Sequence, residues 1–335
     1  MKVLLLSHQN IAYLDDFDDL DPRTHGDVKT EYDVRRALLD LGYDVQLLGG
    51  AEEIATLRKA LREYDPDVVF NLMEEFRGEG IYVPYILGYL ELQRRAFTGC
   101  NPAALIVTDN KPTAKKLLKY HRIPVADFAV FARQRRIRRP KSLDYPLIVK
   151  SSSEHGSVGI AQASVVTNDE KLAERVQFIH EQIGTDAIAE RYIHGRELYV
   201  GLVGNNRLQT LPTWELVFGD QPEQALRIAT SKAKWDIDYQ ERRGITSLAA
   251  AGLSEEIQQK IVRISKRAYR ILGLSGYARM DFRLTDDNQL FLLEANPNPD
   301  LAYDEDFSDS AAAGGLEYED LIRKIVQLGA GYRRV

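Results

Sequence analysis

Near the C-terminus, two short runs carry polar residues that strand geometry would make converge. Strand side chains alternate with a period of two. In Tyr277-Ala278-Arg279-Met280-Asp281-Phe282-Arg283-Leu284, Arg279 and Asp281 fall on one face, and Ala278, Met280, Phe282 and Leu284 on the other. In Leu290-Phe291-Leu292-Leu293-Glu294-Ala295-Asn296, Glu294 and Asn296 share a face. Paired as a hairpin across Thr285-Asp286-Asp287-Asn288, the two strands bring Asp281, Glu294 and Asn296 together. Two carboxylates and an amide oxygen are hard donors that suit Mg2+, above all Mg2+ already holding phosphates. An ordinary hairpin with polar residues outward is the competing reading. The rigid turn Asn296-Pro297-Asn298-Pro299, directly after the donors, favours the metal.

Two further groupings could handle a phosphorylated ligand. Lys150 ends an apolar run and precedes Ser151-Ser152-Ser153-Glu154-His155-Gly156-Ser157-Val158-Gly159. Backbone N–H groups in such a loop can cradle phosphate, and a strand-borne lysine can neutralise it. The lysine precedes the loop, so this is not a Walker A motif, and taken alone the stretch reads more readily as a flexible surface hairpin. In Glu190-Arg191-Tyr192-Ile193-His194-Gly195-Arg196-Glu197, the first acid suits an adenine amino group and the second, seven residues on, ribose hydroxyls. That spacing alone is commonplace.

The elements that must position these groups follow from periodicity. Residues 2–6 predict a buried strand and 15–27 an acidic loop. Val34, Leu38 and Leu41 recur at helical spacing until Gly42. Residues 44–48 and 68–72 predict strands around a helix over 52–64. Strand, helix, strand, helix, strand predicts an open parallel sheet, with ligands beyond its carboxyl ends, here Ser7-His8 and Asn71 to Glu74. No Gly-rich fingerprint follows the first strand, which disfavours a dinucleotide fold. A second region starts at Lys111 with a helix over 113–120, a basic run from Arg133 to Lys141 read as a solvated loop, and strands on either side of 151–159. A third opens at Ala187 and carries a hairpin over 197–211. Its stretch 230–247 is irregular and charged, and is expected to be a lid. Ser254 then caps a helix bearing Ile257, Ile261, Ile264, Ala268 and Ile271 on one face, closed by Gly273. A final helix is expected over 316–328. The expected divisions are 1–110, 111–186 and 187–335.

The chain has 335 residues and ordinary globular composition, with 44 Lys plus Arg against 50 Asp plus Glu and a net charge of −6. That acidic balance argues against nucleic acid and anionic membranes as partners. The single cysteine, Cys100, excludes an internal disulfide and a thiolate zinc site, which predicts a cytoplasmic protein. The opening apolar run, Val3 to Leu6, is too short for a signal peptide, and no stretch approaches membrane-spanning length.

Taken in order, these pieces resemble the ATP-grasp superfamily, and most closely its D-alanine–D-alanine ligase branch. The likeness spans nearly the whole chain. It rests on Gly78-Glu79-Gly80, Phe97-Thr98-Gly99-Cys100-Asn101, Asp109-Asn110-Lys111, Ile148-Val149-Lys150, Gly156-Ser157-Val158-Gly159-Ile160, Glu190 to Glu197, Arg279-Met280-Asp281 and Leu293-Glu294-Ala295-Asn296-Pro297. The resemblance implies an α/β fold of three domains: an N-terminal open parallel sheet, a small central α+β domain, and a C-terminal α+β domain. ATP would lie between two sheets. Lys111 and Lys150 match lysines on the ATP phosphates, and Ser157, Val158 and Gly159 the phosphate-covering loop. Glu190 and Glu197 match the adenine and ribose contacts, with Arg191, Tyr192 and Ile193 as the hinge backbone. Lys234, with Lys232 as fallback, matches the mobile-loop lysine near the γ-phosphate. Asp281, Glu294 and Asn296 match the Mg2+ ligands. Arg279 matches the arginine that stabilises acyl-phosphate and tetrahedral species. Glu79 matches an acid near the first-substrate site. Homodimers are common in the branch, which makes one a candidate assembly.

The resemblance breaks where the branch holds its substrate. The glutamate for the first D-alanine amine aligns with His25, with Asp27 and Glu31 nearby. Its serine support is Gly156 and its tyrosine support Trp235. The stretch for the second D-alanine carboxylate is here Pro299-Asp300-Leu301-Ala302, and Asp300 would repel a carboxylate. Asp304-Glu305-Asp306 extends the acidity, either to favour a cationic amine or as a solvated loop. The expected activity is an ATP- and Mg2+-dependent carboxylate–amine ligase acting through an acyl phosphate on small molecules other than two D-alanines. The alternatives are an authentic D-alanine–D-alanine ligase with a rebuilt clamp and a non-catalytic ATP-binding regulator.

Overall fold

A computed structural model of the chain describes residues 1–8, 11, 26–50, 53–154, 158–219, 228, 230, 233 and 236–332. Three sheets organise it. The first is parallel, with β1 (Lys2–Leu6) between β2 (Asp44–Leu48) and β3 (Val68–Asn71). The helix α1 (Lys29–Asp40) buries Val34, Ala37 and Leu38 and gives way at Gly42, whose φ of 74° suits a residue without a Cβ. The helix α2 (Ile54–Glu63) buries Leu57 and Leu61. The C-terminal helix, α10 (Tyr318–Gly331), returns to this sheet, with Ile322, Ile325 and Val326 in one core with Val3, Leu5 and Leu38. Between β3 and the next sheet lie α3 (Val83–Leu92), α4 (Pro102–Asp109) and α5 (Lys111–Tyr120).

The second sheet has the order β4 (Phe128–Phe131), β7 (Ala187–Arg191), β5 (Leu147–Ser151), β6 (Val165–Val166), with α6 (Asp169–Phe178) packed on it. β7, which begins at the division expected at 187, pairs with both β4 and β5. Ala187 and Ala189 are buried in the core of this sheet, and nothing in so short an apolar strand names its neighbours in advance. The strand expected over 160–166 is reduced to β6, behind a 3-10 turn over 162–164.

The third sheet runs β11 (Thr246–Ala249), β10 (Trp214–Val217), β8 (Arg196–Val203), β12 (Tyr277–Leu284), β13 (Leu290–Asn296), with β9 (Gln209–Thr210) beside β8. Its underside is covered by α8 (Glu255–Ile271), capped by Ser254, whose Oγ accepts from the Ile257 N–H at 3.3 Å. That cap is worth about 1 kcal/mol. Ile257, Ile261, Ile264 and Ala268 share one core with Ala278, Met280, Phe282 and Leu284 of β12. Each fully buried large aliphatic contributes roughly 1.5–3 kcal/mol. This packing decides the site, because burying the even-numbered face of β12 turns Arg279, Asp281 and Arg283 the other way. The irregular stretch expected over 230–247 contains a helix, α7 (Ile237–Arg243), capped by Asp236 and closed by Gly244, and β11 begins at Thr246. Its described helical positions are dominated by charge, so no apolar stripe announced it. The remaining helix, α9 (Asp306–Ala313), follows β13.

Candidate active site

β12 and β13 pair as expected, with Asp281 opposite Glu294 and Arg279 opposite Asn296. A register shift follows, and Phe282 faces Leu292. The extra residue, Leu293, leaves the ladder, and its carbonyl accepts from Lys115 Nζ at 2.8 Å. Arg279 donates to both Asp281 oxygens, at 2.8 and 3.0 Å, and its guanidinium lies 4.5 Å from the Tyr199 ring centre. Burial pulls Arg279 down, but Asp281, Tyr199 and Asp306 outweigh it and hold it above the ordinary range.

Above this hairpin sits a buried cluster of charge. Lys115 and Lys150 reach the two oxygens of Glu190, each at 3.2 Å. Burial raises the Glu190 carboxyl, yet the two ammoniums prevail and hold it below the usual range. Burial lowers Lys115, and Glu190 does not fully compensate. For Lys150, Glu190 and Glu294 overcome burial and raise it. Lys111 Nζ is buried, 3.3 Å from Glu294 Oε2, and makes no hydrogen bond among the described residues. Such a buried ammonium calls for a polar ligand. Lys111 opens α5 directly after the cap Asn110, whose side chain accepts from the Thr113 N–H.

Lys111, Lys150, Glu190, Asp281 and Glu294 line a solvent-open cleft between the second and third sheets. It brings together Lys111, Lys150, Val158, Glu190, Arg191, Tyr192, Ile193, Glu197, Asp281 and Glu294 from the expected set. Arg279 and Asn296 flank it on the paired strands, and the Asn296 Oδ1 accepts from the Asn298 N–H at 2.9 Å. Gly159 lies at its edge with φ of 69° and its carbonyl held by Arg175. The Glu190 carboxylate, expected at adenine, is held by two ammoniums, one on each oxygen. Glu79 sits outside the cleft in an exposed turn, its backbone paired with Phe76. Asp300 also lies outside the lining, accepting at Oδ1 from Thr30 Oγ at 2.7 Å and from the Ala302 N–H at 2.8 Å. His25, Gly156, Ser157, Lys232, Lys234 and Trp235 lie outside the described residues.

Residue-by-residue reading passed over three members of this site. Lys115 falls one helical turn after Lys111, a spacing that puts two cations on one face. Arg283 falls two residues after Asp281, on the same strand face. Its guanidinium donates to Glu197 Oε2 at 2.5 Å. Tyr199, two residues after Glu197, donates to Oε1 at 3.0 Å.

Among the described residues no three His, Cys, Asp or Glu side chains form a metal cluster. Asp281, Glu294 and Asn296 offer two carboxylates and an amide oxygen, hard donors of the kind that suits an ion carried on phosphates. Nearby Lys111 and Lys150 fit those same phosphates.

The family model described as D-ala D-ala ligase C-terminus matches residues 117–327. The D-alanine–D-alanine ligase of Nitratidesulfovibrio vulgaris is 30% identical over 299 residues, spanning 88% of this chain and 90% of its own. That of Geotalea uraniireducens is 28% identical, spanning 89% and 88%. The crystal structure of the Bacillus anthracis D-alanine–D-alanine ligase complexed with ATP superposes with a TM-score of 0.75 at 18% identity, over 98% of this chain and 97% of that one, which shows the shared fold. On its sequence and its architecture alike, the chain belongs to the D-alanine–D-alanine ligase family of ATP-grasp, ADP-forming carbon–nitrogen ligases.

Proposed function

We propose that this chain joins a carboxylate to an amine other than in the D-alanine–D-alanine pair, with ATP and Mg2+ in the cleft between the second and third sheets. The observation that carries the nucleotide reading is the buried, unbonded Lys111 ammonium facing Glu294 beside Lys150 and the Asp281–Glu294 pair. ATP supplies the phosphoryl group that activates the carboxylate as an acyl phosphate, from which the amine displaces phosphate. Lys111 and Lys150 neutralise charge on the transferred group, and Arg279, held flat by Asp281, presents its guanidinium to oxygens that gain charge. Asp281, Glu294 and Asn296 would hold Mg2+.

The departure from D-alanine rests on Asp300 and its surroundings. Glu74 and Glu305 both couple to Asp300. Enclosure, Asp300, Glu31 and Glu75 push Glu74 up to about 7. Enclosure, Asp300, Asp306 and Asp309, against Lys29, push Glu305 up to about 7. A second substrate carboxylate would meet like charge there, whereas a cationic amine would relieve it. The test is ADP and phosphate release over amino acids of both configurations, singly and in pairs. Turnover that requires a cationic amine supports the reading. Efficient turnover with D-alanine alone, well below millimolar, restores the dipeptide ligase. Tight ADP binding without turnover on any pair leaves a regulator. The lone cysteine, which is buried, accords with a cytoplasmic location. Among the described residues no helix is long and apolar enough to cross a membrane.

A homodimer is the assembly we propose. α3 buries Val83, Ile86, Leu87 and Leu90, yet its other face exposes Tyr85 (62%) and Leu92 (81%) around Gly88, and the 3-10 turn leading into it exposes Ile81 (63%). A helix apolar on both faces needs a second cover. An antiparallel copy about a twofold axis at the helix centre sets Ile81 against Leu92, Tyr85 against the open space at Gly88, and Glu79 against Arg94. Sedimentation of Tyr85→Glu should give monomer where the parent gives dimer; a parent that sediments as a monomer ends the proposal.

A further inference from the structure

We propose that Arg283 is a positioning residue for nucleotide recognition: it aims the Glu197 carboxylate into the cleft as the acceptor for ribose hydroxyls and ties that acceptor to the hinge before it. This rests on the nucleotide reading of the cleft given above. Arg283 and Glu197 face each other directly across β12 and β8, are 4% and 6% exposed, and both line the cleft. The guanidinium spans two partners. Nη2 donates to Glu197 Oε2 at 2.5 Å, and Nη1 donates to the Gly195 carbonyl at 2.7 Å. Gly195 closes the segment that begins with Arg191, Tyr192 and Ile193. Its φ is 141°, and a Cβ there would lie 2.1 Å from the Leu284 carbonyl oxygen. Only glycine lets this turn come so near the end of β12, and that approach places its carbonyl within reach of Arg283.

The other Glu197 oxygen accepts from Tyr199 at 3.0 Å, and the face of that ring carries Arg279, which grips Asp281. A carboxylate has about four acceptor positions, and each oxygen here has one protein donor, so acceptor capacity remains for a ligand. Without its two donors, Glu197 would be free to rotate among its rotamers or turn from the cleft. The relay therefore runs from the hinge, through the sugar acceptor, to the carboxylate beside the phosphates.

A merely structural ion pair would stabilise the sheet without reading the sugar, and the two roles separate experimentally. The full-length chain would be titrated calorimetrically with ADP and with 2′-deoxy-ADP, each with Mg2+. The parent should prefer ADP about tenfold, the size of one charge-assisted hydrogen bond. Arg283→Met should bring that preference within about twofold. Arg283→Lys keeps the charge but offers a compact ammonium in place of a fork, so its preference should fall to about threefold. Glu197→Gln with Arg283→Met should lose no more preference than Arg283→Met alone, since the two act as one unit. Tyr199→Phe removes a single hydroxyl and gives a milder variant should Arg283→Met not fold; its preference should drop to about threefold. Preference retained in Arg283→Met alongside weaker binding of both nucleotides would reduce the pair to a structural one. Equal binding of both nucleotides by the parent would overturn this inference alone, whereas no ADP binding by the parent would overturn the cleft reading with it.

Discussion

Two regions of this molecule handle clustered charge in opposite ways. In the cleft, Lys111, Lys115 and Lys150 are interleaved with Glu190 and Glu294, and Glu190 stays ionised because two ammoniums overcome its burial. At the seam where α1, the residues after β3 and the turn after β13 meet, Glu74 couples to Asp300 and Glu31, Glu305 couples to Asp300, and Glu74 and Glu305 rise to about 7. The first arrangement is compensated internally, with an ammonium left over for an anion. In the second, Lys29 opposes the rise of Glu305 without cancelling it. His8, whose Nδ1 accepts from the Glu74 N–H at 3.3 Å, is lowered by burial and contributes little positive charge at neutral pH. Under the proposed function, ATP would take the first region and a cationic amine the second.

The comparison breaks most sharply at Glu294. Glu294→Gln keeps the shape of the side chain and removes its charge. ADP formation should fall about 10³-fold, the loss expected when one preorganised electrostatic group is removed from a phosphoryl-transfer site. The Glu294 side chain is 29% exposed, so thermal unfolding should shift by only a few degrees. Near-normal turnover in this variant would remove Glu294 from the reaction.

Lys115 tests how far the cleft is compensated internally. Lys115→Met leaves Glu190 with one ammonium and the Leu293 carbonyl without its donor. Stability should fall by about 3 kcal/mol in urea, as for other broken buried pairs. Lys119 on the same helix pairs with Asp127 at 2.7 Å in the open, and Lys119→Met should cost less than about 1 kcal/mol. Equal losses in the two variants would show that burial does not govern this cluster.

Much of the cleft was legible in the sequence because it stands on strands. A period of two fixed the shared face of Arg279 and Asp281 and of Glu294 and Asn296, and the hairpin then forced them opposite one another. Lys115 and Arg283 carried the same kind of signal, at helical and strand spacing, but neither stands in a run that looks chemical by itself. The partners of β7 were not legible, because Ala187 and Ala189 specify burial and not a neighbour. The helix α7 was hidden by its charge-rich sequence. The commitment of Glu190 to two lysines needed three dimensions, since Lys115 lies 75 residues before it in sequence.

Asp300 probes the seam directly. Asp300→Asn removes the charge common to Glu74 and Glu305 while keeping an oxygen for Thr30 and the Ala302 N–H. Catalytic efficiency toward the best cationic amine should fall about tenfold relative to a neutral one, with KM for ATP within about twofold. An unchanged amine preference would return Asp300 to a purely structural part in the turn.

The smallest effect is one of proton linkage, and it reads the seam without any assumption about chemistry. Glu74 and Glu305 have folded values of about 7 against 4.5 for an ordinary glutamate. A carboxyl raised on folding contributes stability that is fully present below the unfolded value and is lost as pH rises through the folded one. The urea midpoint should therefore decline between about pH 5 and pH 8, and Asp300→Asn should flatten that decline. The same two carboxyls hold part of a proton each at pH 7, which a cationic substrate would expel by favouring their charged forms. Calorimetric binding of that substrate should then show a buffer-dependent heat corresponding to net proton release, larger at pH 6.5 than at pH 8. A neutral amine of similar size should show almost none. Binding heats that match across buffers of different ionisation enthalpy would mean that the substrate leaves the protonation of the seam unchanged, and its acidity would then reflect the turn that Asp300 holds in place and not the ligand it receives.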